Sequence, residues 1–221
     1  MNIKEKTKAV LKSLNSRTFA AALLIAFVLT SAYSLAGFDR KYEDIKNGVL
    51  RLHILAASDS EEDQALKLLV RDRVLKASED VFSSCATVHE AKAAALENKD
   101  MLTAAANEVL KENGCPDTVS FALENTWFDE REYDGFTLPA GEYEALRMVI
   151  GEGNGHNWWC VMFPSVCIPA ATDETGERFS AALGDSEADM VENHIKYKAK
   201  FKIVEVFESI KYKLKNRFAN G

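Results

Sequence analysis

An uncharged stretch near the amino terminus constrains this chain more than any other feature of its sequence. The segment from Phe19 to Ala36 contains no charged residue, and five bases precede it against a single acid. A basic start followed by an apolar run is typical of an export signal. The run is about 18 residues long, which also allows an uncleaved helix to span a bilayer. Because the positive charge stays in the cytosol, both outcomes place the rest of the chain outside it.

The end of the apolar run defines the expected organisation of the chain. Ser34 and Ala36 are small residues at the two positions that signal peptidase requires, so we predict cleavage between Ala36 and Gly37. We expect a signal peptide or membrane anchor over residues 1–36 and a connector over residues 37–48. Residues 49–221 then form a single extracytoplasmic domain, which is long enough to bury a core.

Charge is distributed unevenly over the exported part. Without residues 1–36 the chain keeps 22 bases and 33 acids, a net charge near −11. From Ile195 onward there are eight bases and two acids, so the basic tail differs sharply from the acidic body. An acidic body argues against nucleic acid as a partner.

The first part of the domain alternates between strand and helix patterns. Residues 49–57, VLRLHILAA, alternate apolar and polar side chains, which predicts a strand. A helix follows, with Ser60 or Asp59 as its cap. A second helix is predicted from a capping box formed by Thr87 and Glu90, and it is expected to continue to the turn before the next strand.

The second part predicts three more strands and a final helix. The strand patterns lie near residues 119–127, 144–151 and 157–163, and we expect them to form an antiparallel meander. Residues 171–188 are small and polar without a period, which predicts a surface loop. Residues 195–218 have the spacing of a long basic helix, although FKIVEVF within them also fits a strand. The predicted class is α+β.

The stretch GEGNGHNWWCVMFPSVC, from Gly151 to Cys167, collects residue types that occur in active sites. A phosphate-binding loop lies between a strand and a helix, whereas GEGNG lies between two predicted strands, which favours a hairpin. His156 and Cys160 are about 13 Å apart along an extended strand, too far for a nucleophile and its base. The spacing of the cysteines matches no common zinc site. We therefore expect no metal and no cofactor.

Four cysteines outside the cytosol are more often paired than free. Three pairings exist. A Cys160–Cys167 disulfide would span the turn at Pro164, and a Cys85–Cys115 disulfide would join the two ends of the second helix. Both remain open from the sequence.

Two further features are candidates for recognition or chemistry. Trp158 and Trp159 point to opposite faces of their strand, so we expect one in the core and the other partly exposed as an anchor for a partner. The junction HILAASDSEEDQ brings His53, Ser58 and Asp59 to a helix amino terminus. Such a junction can bind an anion or hold an acid/base pair, although helix capping is the commoner role.

The chain contains three segments with a distinctive pattern: LRLHILAASDSEEDQALKLLVRDRVL, LPAGEYEALRMVIGEGNGHNWWCVMFPSVC and KFKIVEVFE. Together they resemble the stage II sporulation protein R family of endospore-forming Firmicutes, and the resemblance covers most of residues 49–207. One departure is Ala57, where the family is expected to have asparagine.

The resemblance implies a secreted signalling protein rather than an enzyme. Such a protein is made in the forespore and exported into the space between forespore and mother cell. There it is expected to activate a membrane-embedded aspartic protease of the stage II sporulation protein GA type, which removes the pro-segment of a sigma factor. The expected contact residues are His53, Ser58, Asp59, Glu142, Arg147, His156, Asn157, Trp158 and Trp159.

Two other functions remain open. An extracytoplasmic hydrolase acting on cell wall would use His53 or His156 with Asp59 or Cys160, and it requires those side chains to converge. A lipid-surface protein would act through the basic carboxy-terminal helix.

Overall fold

A computed structural model describes residues 16–133, 135–165 and 175–219 of the chain. Within them it contains seven helices and six strands. The helices are α1 (Ser16–Asn47), α2 (Glu61–Phe82), α3 (Val88–Glu97), α4 (Lys99–Glu112), α5 (Thr175–Leu183), α6 (Asp185–Glu192) and α7 (His194–Ala219). The strands are β1 (Leu50–Leu55), β2 (Val119–Phe128), β3 (Arg131–Tyr133), β4 (Phe136–Leu138), β5 (Gly141–Ile150) and β6 (Asn157–Phe163). The chain divides into two units, Met1–Lys41 and Tyr42–Gly221.

Helix α1 carries the uncharged stretch of the first unit. Its large apolar side chains between Phe19 and Tyr33 are exposed. By length and composition α1 is apolar enough to cross a membrane, which agrees with a signal or an anchor at this position. Ala36 and Gly37 both lie within α1, and cleavage between them stays a prediction.

The second unit is built on a four-stranded mixed sheet with the strand order β2-β5-β1-β6. Strand β1 runs parallel to β5 and antiparallel to β6, while β2 and β5 are antiparallel. The α+β class is confirmed, but the sheet is not the predicted meander, because β1 lies between β5 and β6. Alternation along a strand indicates which side chains share a face and carries no information about the neighbouring strand.

Helices α2, α3 and α4 contribute to a hydrophobic core on one face of this sheet. Leu52 and Ile54 of β1 lie in this core beside Leu146 and Met148 of β5. Because side chains alternate along a strand, the neighbouring residue His53 points to the other face.

The predicted helix starts are confirmed and one predicted helix is divided. The Ser60 hydroxyl caps α2 by accepting from the N–H of Asp63 at 3.1 Å, and Thr87 and Glu90 form the capping box of α3. The second predicted helix is interrupted at Asn98, which ends α3 and precedes α4. The Asn98 side chain donates to a carbonyl one turn earlier at 2.8 Å, a local bond that competes with helix propagation.

The opposite face of the sheet buries Arg51 of β1 among aromatic rings. Its guanidinium lies 4.0 Å from the ring centre of Phe128 and 4.9 Å from that of Tyr143, and it donates to the hydroxyl of Tyr133 at 2.6 Å. Burial lowers the pKa of Arg51, and the rings and the hydroxyl stabilise its charge. This cluster ties β3 to the middle of the sheet.

The carboxy-terminal region is more helical than the sequence predicts. Helices α5 and α6 occupy residues 175–183 and 185–192, so the predicted loop is wrong there, and residues 171–174 lie outside the described part of the chain. The buried side chains of Phe179 and Met190 explain why these short helices persist. Helix α7 settles residues 199–218 as helix, with Phe201 and Val204 buried at helical spacing.

Candidate functional site

The segment between β5 and β6 crosses over the carboxyl end of β1. We call residues 151–156 the crossover loop. The N–H of Asn154 donates to the Ala57 carbonyl at 3.1 Å, and the N–H of Gly155 donates to the Ala56 carbonyl at 3.0 Å. The predicted hairpin is therefore wrong, since β1 separates the two strands that the loop connects.

The glycines of this loop permit its close approach to the chain after β1. A Cβ atom added to Gly155 would lie 2.1 Å from the carbonyl oxygen of Ser58, so no other residue fits without movement. Gly151 and Gly153 have φ angles of 56° and 67°, which glycine adopts readily. Backbone geometry thus accounts for the glycine-rich sequence.

Asp59 and His156 meet at the outer surface of the crossover loop. The backbone N–H of His156 donates to Oδ1 of Asp59 at 2.6 Å, and the ring Nδ1 of His156 contacts the same oxygen. The side chains are 77% exposed for His156 and 56% exposed for Asp59. The pair is therefore both fixed in position and open to solvent.

A polar network beneath this pair joins the crossover loop to α2. Ser58 donates its hydroxyl hydrogen to the carboxylate of Asp63, and Gln64 donates to the Ser58 carbonyl at 2.8 Å. Lys67 donates to Gln64 at 2.6 Å and to the His156 carbonyl at 2.9 Å. Burial lowers the pKa of Lys67, while the Asp59 carboxylate acts in the opposite direction.

His53 lies next to this network, on the sheet face away from α2. Its Nε2 pairs with Oδ1 of Asn157 at 2.7 Å, and its ring stacks on Trp159 with 3.9 Å between the ring centres. The ring centre of Phe128 lies 4.4 Å from that of Trp159, with an angle of 61° between the two rings. Burial lowers the pKa of His53, the hydrogen bond to Asn157 raises it, and the charge of Arg147 lowers it.

Six of the predicted contact residues thus converge at one end of the sheet, and we call them the crossover site: His53, Ser58, Asp59, His156, Asn157 and Trp159. Arg147 borders the site, because it is the register partner of His53 on β5 and forms an ion pair with Glu124 at 3.1 Å.

Two predicted contact residues lie elsewhere. Trp158 packs against the hydrophobic core on the opposite face, where the guanidinium of Arg71 lies 4.3 Å from its ring. Glu142 is at the far end of β5, where it pairs with Lys215 of α7 at 3.0 Å. The two tryptophans point in opposite directions because side chains alternate along a strand. Glu142 lies far from the crossover loop because it precedes Ile150, the last residue of β5, by eight residues.

The cysteines divide into a bonded residue and two free thiols. Cys160 is disulfide-bonded, and Cys167, its predicted partner, lies outside the described residues, so that pairing stays a prediction. Cys85 and Cys115 are free thiols, so the second predicted disulfide, between these two residues, is wrong. Each packs separately against the core, and burial raises the pKa of Cys85.

Of the groups that a hydrolase could combine, Asp59 and His156 meet, whereas Cys160 and Ser58 are directed elsewhere. Cys160 pairs in register with Leu52 on the core face, whereas His53 points to the other face. The hydroxyl of Ser58 donates to Asp63 rather than to His156. Among the described residues no group of three or more His, Cys, Asp or Glu side chains is arranged to hold a metal ion.

Two residues of α2 that support the site, Gln64 and Lys67, were not predicted from the sequence. Gln64 and Lys67 belong to a helix whose charged positions are typical of a solvated face. Lys67 immediately follows the buried Leu66. That position beside the core is the feature of the sequence that indicates burial of Lys67.

Comparison with known proteins places this chain in a family. The family model described as stage II sporulation protein R matches residues 46–173. The stage II sporulation protein R of Bacillus subtilis (strain 168) is 36% identical over 123 residues, which are 56% of this chain and 55% of that protein. The chain therefore spans about half the length of this relative. No solved structure matches.

The matched residues include β1, the helices that cover it, the crossover loop and β6. All six residues of the crossover site therefore lie within the match. The chain belongs to the stage II sporulation protein R family. That membership supports a role in sporulation.

Proposed function

We propose that this protein is an intercompartmental sporulation signal. It is exported from the forespore, with α1 as its signal or anchor, into the space between forespore and mother cell. There it binds and activates a membrane-embedded aspartic protease of the stage II sporulation protein GA type, which processes a pro-sigma factor. Family membership and the apolar α1 support this proposal.

The exposed and fixed Asp59–His156 pair carries the proposal that the crossover site is the contact surface. A group whose position is set before binding loses little conformational freedom in a complex. The backbone bonds of Asn154 and Gly155, together with Lys67 beneath the loop, hold the pair in place. Trp159 adds an aromatic surface next to it, a residue type enriched at binding hot spots.

Activation by binding requires a difference in affinity. If the protease has inactive and active arrangements, the signal shifts their populations only by binding the active one more tightly. A shift from 1:99 to 99:1 requires about 10⁴-fold preference. The crossover site is therefore expected to contact a part of the protease that differs between the two arrangements.

Binding of the full chain to the detergent-solubilised protease tests the contact surface. We expect His156→Ala and Asp59→Ala to weaken binding by at least about tenfold, the scale of an interface hot spot. Glu152→Ala, an exposed change in the same loop, is the matched control and leaves the affinity unchanged. Equal affinity of wild type, His156→Ala and Asp59→Ala would exclude the crossover site.

One observation favours the alternative of an extracytoplasmic hydrolase acting on cell wall. The Asp59–His156 pair is exposed and has the composition of an acid/base pair. Release of soluble fragments from purified cell wall by the full chain, abolished by His156→Ala, would favour that activity over signalling.

A further inference from the structure

Helix α7 presents an apolar stripe to the outside of the second unit. Phe207 is 65% exposed and Ile210 is 54% exposed. The stripe consists of Ile203, Val206, Phe207, Ile210, Leu214 and Phe218. These residues recur at intervals of three and four, so they lie along one side of the helix over about 22 Å. A row of large apolar side chains in water is typical of a surface that meets a partner.

The charges of α7 are sorted between its two sides. Its two acids are buried, Glu205 at 4% exposure and Glu208 at 7%. Glu205 accepts from the backbone N–H of Ala140 at 3.1 Å, and Glu208 pairs with Lys46 at 3.3 Å. The outer side of α7 therefore carries apolar residues and bases, and both acids of the helix lie on its inner side.

Exposed bases border the apolar stripe on both sides. At 100° per residue Lys202 and Lys213 lie along one edge, and Lys200 and Lys211 lie along the other. Long lysine side chains can extend from such an edge toward lipid headgroups while their methylene groups cover apolar surface. Lys202 and Lys211 also pair with Glu205 and Glu208 within the same helix. The contacts of those two acids with Ala140 and Lys46 fix the helix to the body.

We propose that α7 lies on the surface of a bilayer that contains anionic lipid, with its apolar stripe in the headgroup region. An interfacial helix has one apolar side, a basic border and too little overall hydrophobicity to span the membrane. Within the described residues only α1 is long and apolar enough to cross one. A second copy of the chain fits less well, because an α7–α7 pair would bring like charges together.

α7 and the crossover loop lie at different ends of β5. α7 packs at the end of the sheet where β5 begins, through Ala140, Glu142 and the ring of Trp127, which is 5.1 Å from Tyr212. The crossover loop follows the opposite end of β5, which is ten residues long. The family model ends at residue 173, so α7 lies outside the matched segment. This inference does not depend on the identity of the partner protease.

A fluorescent probe at Leu214 of the full chain tests lipid binding directly. A Cys85→Ala/Cys115→Ala chain carries Leu214→Cys labelled with an environment-sensitive dye, and Ala104→Cys, exposed on α4, is the matched control. Both are reconstituted into vesicles of phosphatidylcholine alone, and into vesicles in which phosphatidylglycerol replaces roughly a third of the lipid. Brominated lipids in either vesicle report contact with the acyl region by quenching.

We expect a blue shift and quenching at Leu214, but not at Ala104, in the anionic vesicles. Phe207→Glu/Ile210→Glu should abolish both signals, and Lys200→Glu/Lys213→Glu or high salt should reduce them. Each lysine near an anionic surface raises lipid partitioning about fivefold, so the double lysine variant should lower it at least about 25-fold. A Leu214 probe that stays in water would overturn the proposal. The proposal would also be overturned by a Leu214 signal of equal size in neutral and anionic vesicles that grows with the density of the protein. That result would indicate that α7 binds a second copy of the chain.

Discussion

One carboxylate oxygen of Asp59 contacts both the backbone N–H and the ring Nδ1 of His156, a residue 97 positions away in sequence. The contact exists because the crossover loop passes over the end of β1 and returns toward the start of α2. The contact joins two features that the sequence indicates separately. One is the junction after β1, and the other is the glycine-rich stretch before β6.

The hydrogen bond to Asp59 should slow exchange of the His156 amide hydrogen. In Asp59→Ala that amide loses its acceptor, so we expect hydrogen exchange at His156 to accelerate by at least about tenfold. Glu62→Ala removes an exposed acid from the first turn of α2 and serves as the control. An unchanged exchange rate in Asp59→Ala would contradict the geometry of the loop.

Gly155 should be intolerant of any side chain. Gly155→Ala places a Cβ against the Ser58 carbonyl, and we expect a loss of about 1–3 kcal/mol in the free energy of unfolding from the forced shift. Denaturant unfolding of the full chain measures this loss. Asn154→Ala in the neighbouring position is the control and should change stability much less. Equal stability of Gly155→Ala and wild type would show that the loop has another path.

Stability should decrease in acid because of His53. Burial is the largest cause of a pKa below the ordinary value near 6.5, so protonation is less favourable in the folded state. The contribution of neutral His53 is fully present above pH 6.5 and is lost as the pH falls through the lowered pKa. Arg147 and Glu124 face His53 and act in opposite directions on its pKa.

The pH dependence of denaturant unfolding isolates this group. His53→Gln should flatten the decline in stability below pH 6.5, while His89→Gln, an exposed change on α3, should keep the wild-type slope. A His53→Gln slope identical to wild type would mean that other groups cause the acid sensitivity.

The thiols should react in two classes. After unfolding without a reductant, alkylation should label Cys85 and Cys115 and leave Cys160 unlabelled until reduction. Mass spectrometry of the unreduced digest should then show a peptide linked between Cys160 and Cys167. Four alkylated cysteines before reduction would contradict the predicted disulfide.

Local features of the fold are predicted well from the sequence, and the arrangement of the sheet is not. The cap at Ser60 and the box of Thr87 and Glu90 depend on neighbouring residues, so the pattern contains them. The position of β1 between β5 and β6 depends on contacts about 100 residues apart. For that reason the sequence predicts a hairpin at Gly151 where the structure has a crossover.

The same distinction applies to the candidate site. His53, Asp59 and His156 attract attention because of their residue types, but only the crossover joins them. Glu142 belongs to the same strand as Arg147, but it lies at the end of that strand away from the crossover loop, where it pairs with Lys215. Lys67 supports the site from a helix whose charged residues are typical of a solvated face, and only its place beside the buried Leu66 indicates burial.

Processing of the pro-sigma factor in a purified system tests the central claim most directly. The full chain, the protease in vesicles and the pro-sigma factor are combined, and removal of the pro-segment is followed with active protease and with protease lacking its catalytic aspartates. Cleavage that requires both the full chain and the active protease, and that falls with His156→Ala, is the predicted result. Cleavage by the chain with inactive protease, or the same cleavage rate with and without the chain, would contradict a signalling role.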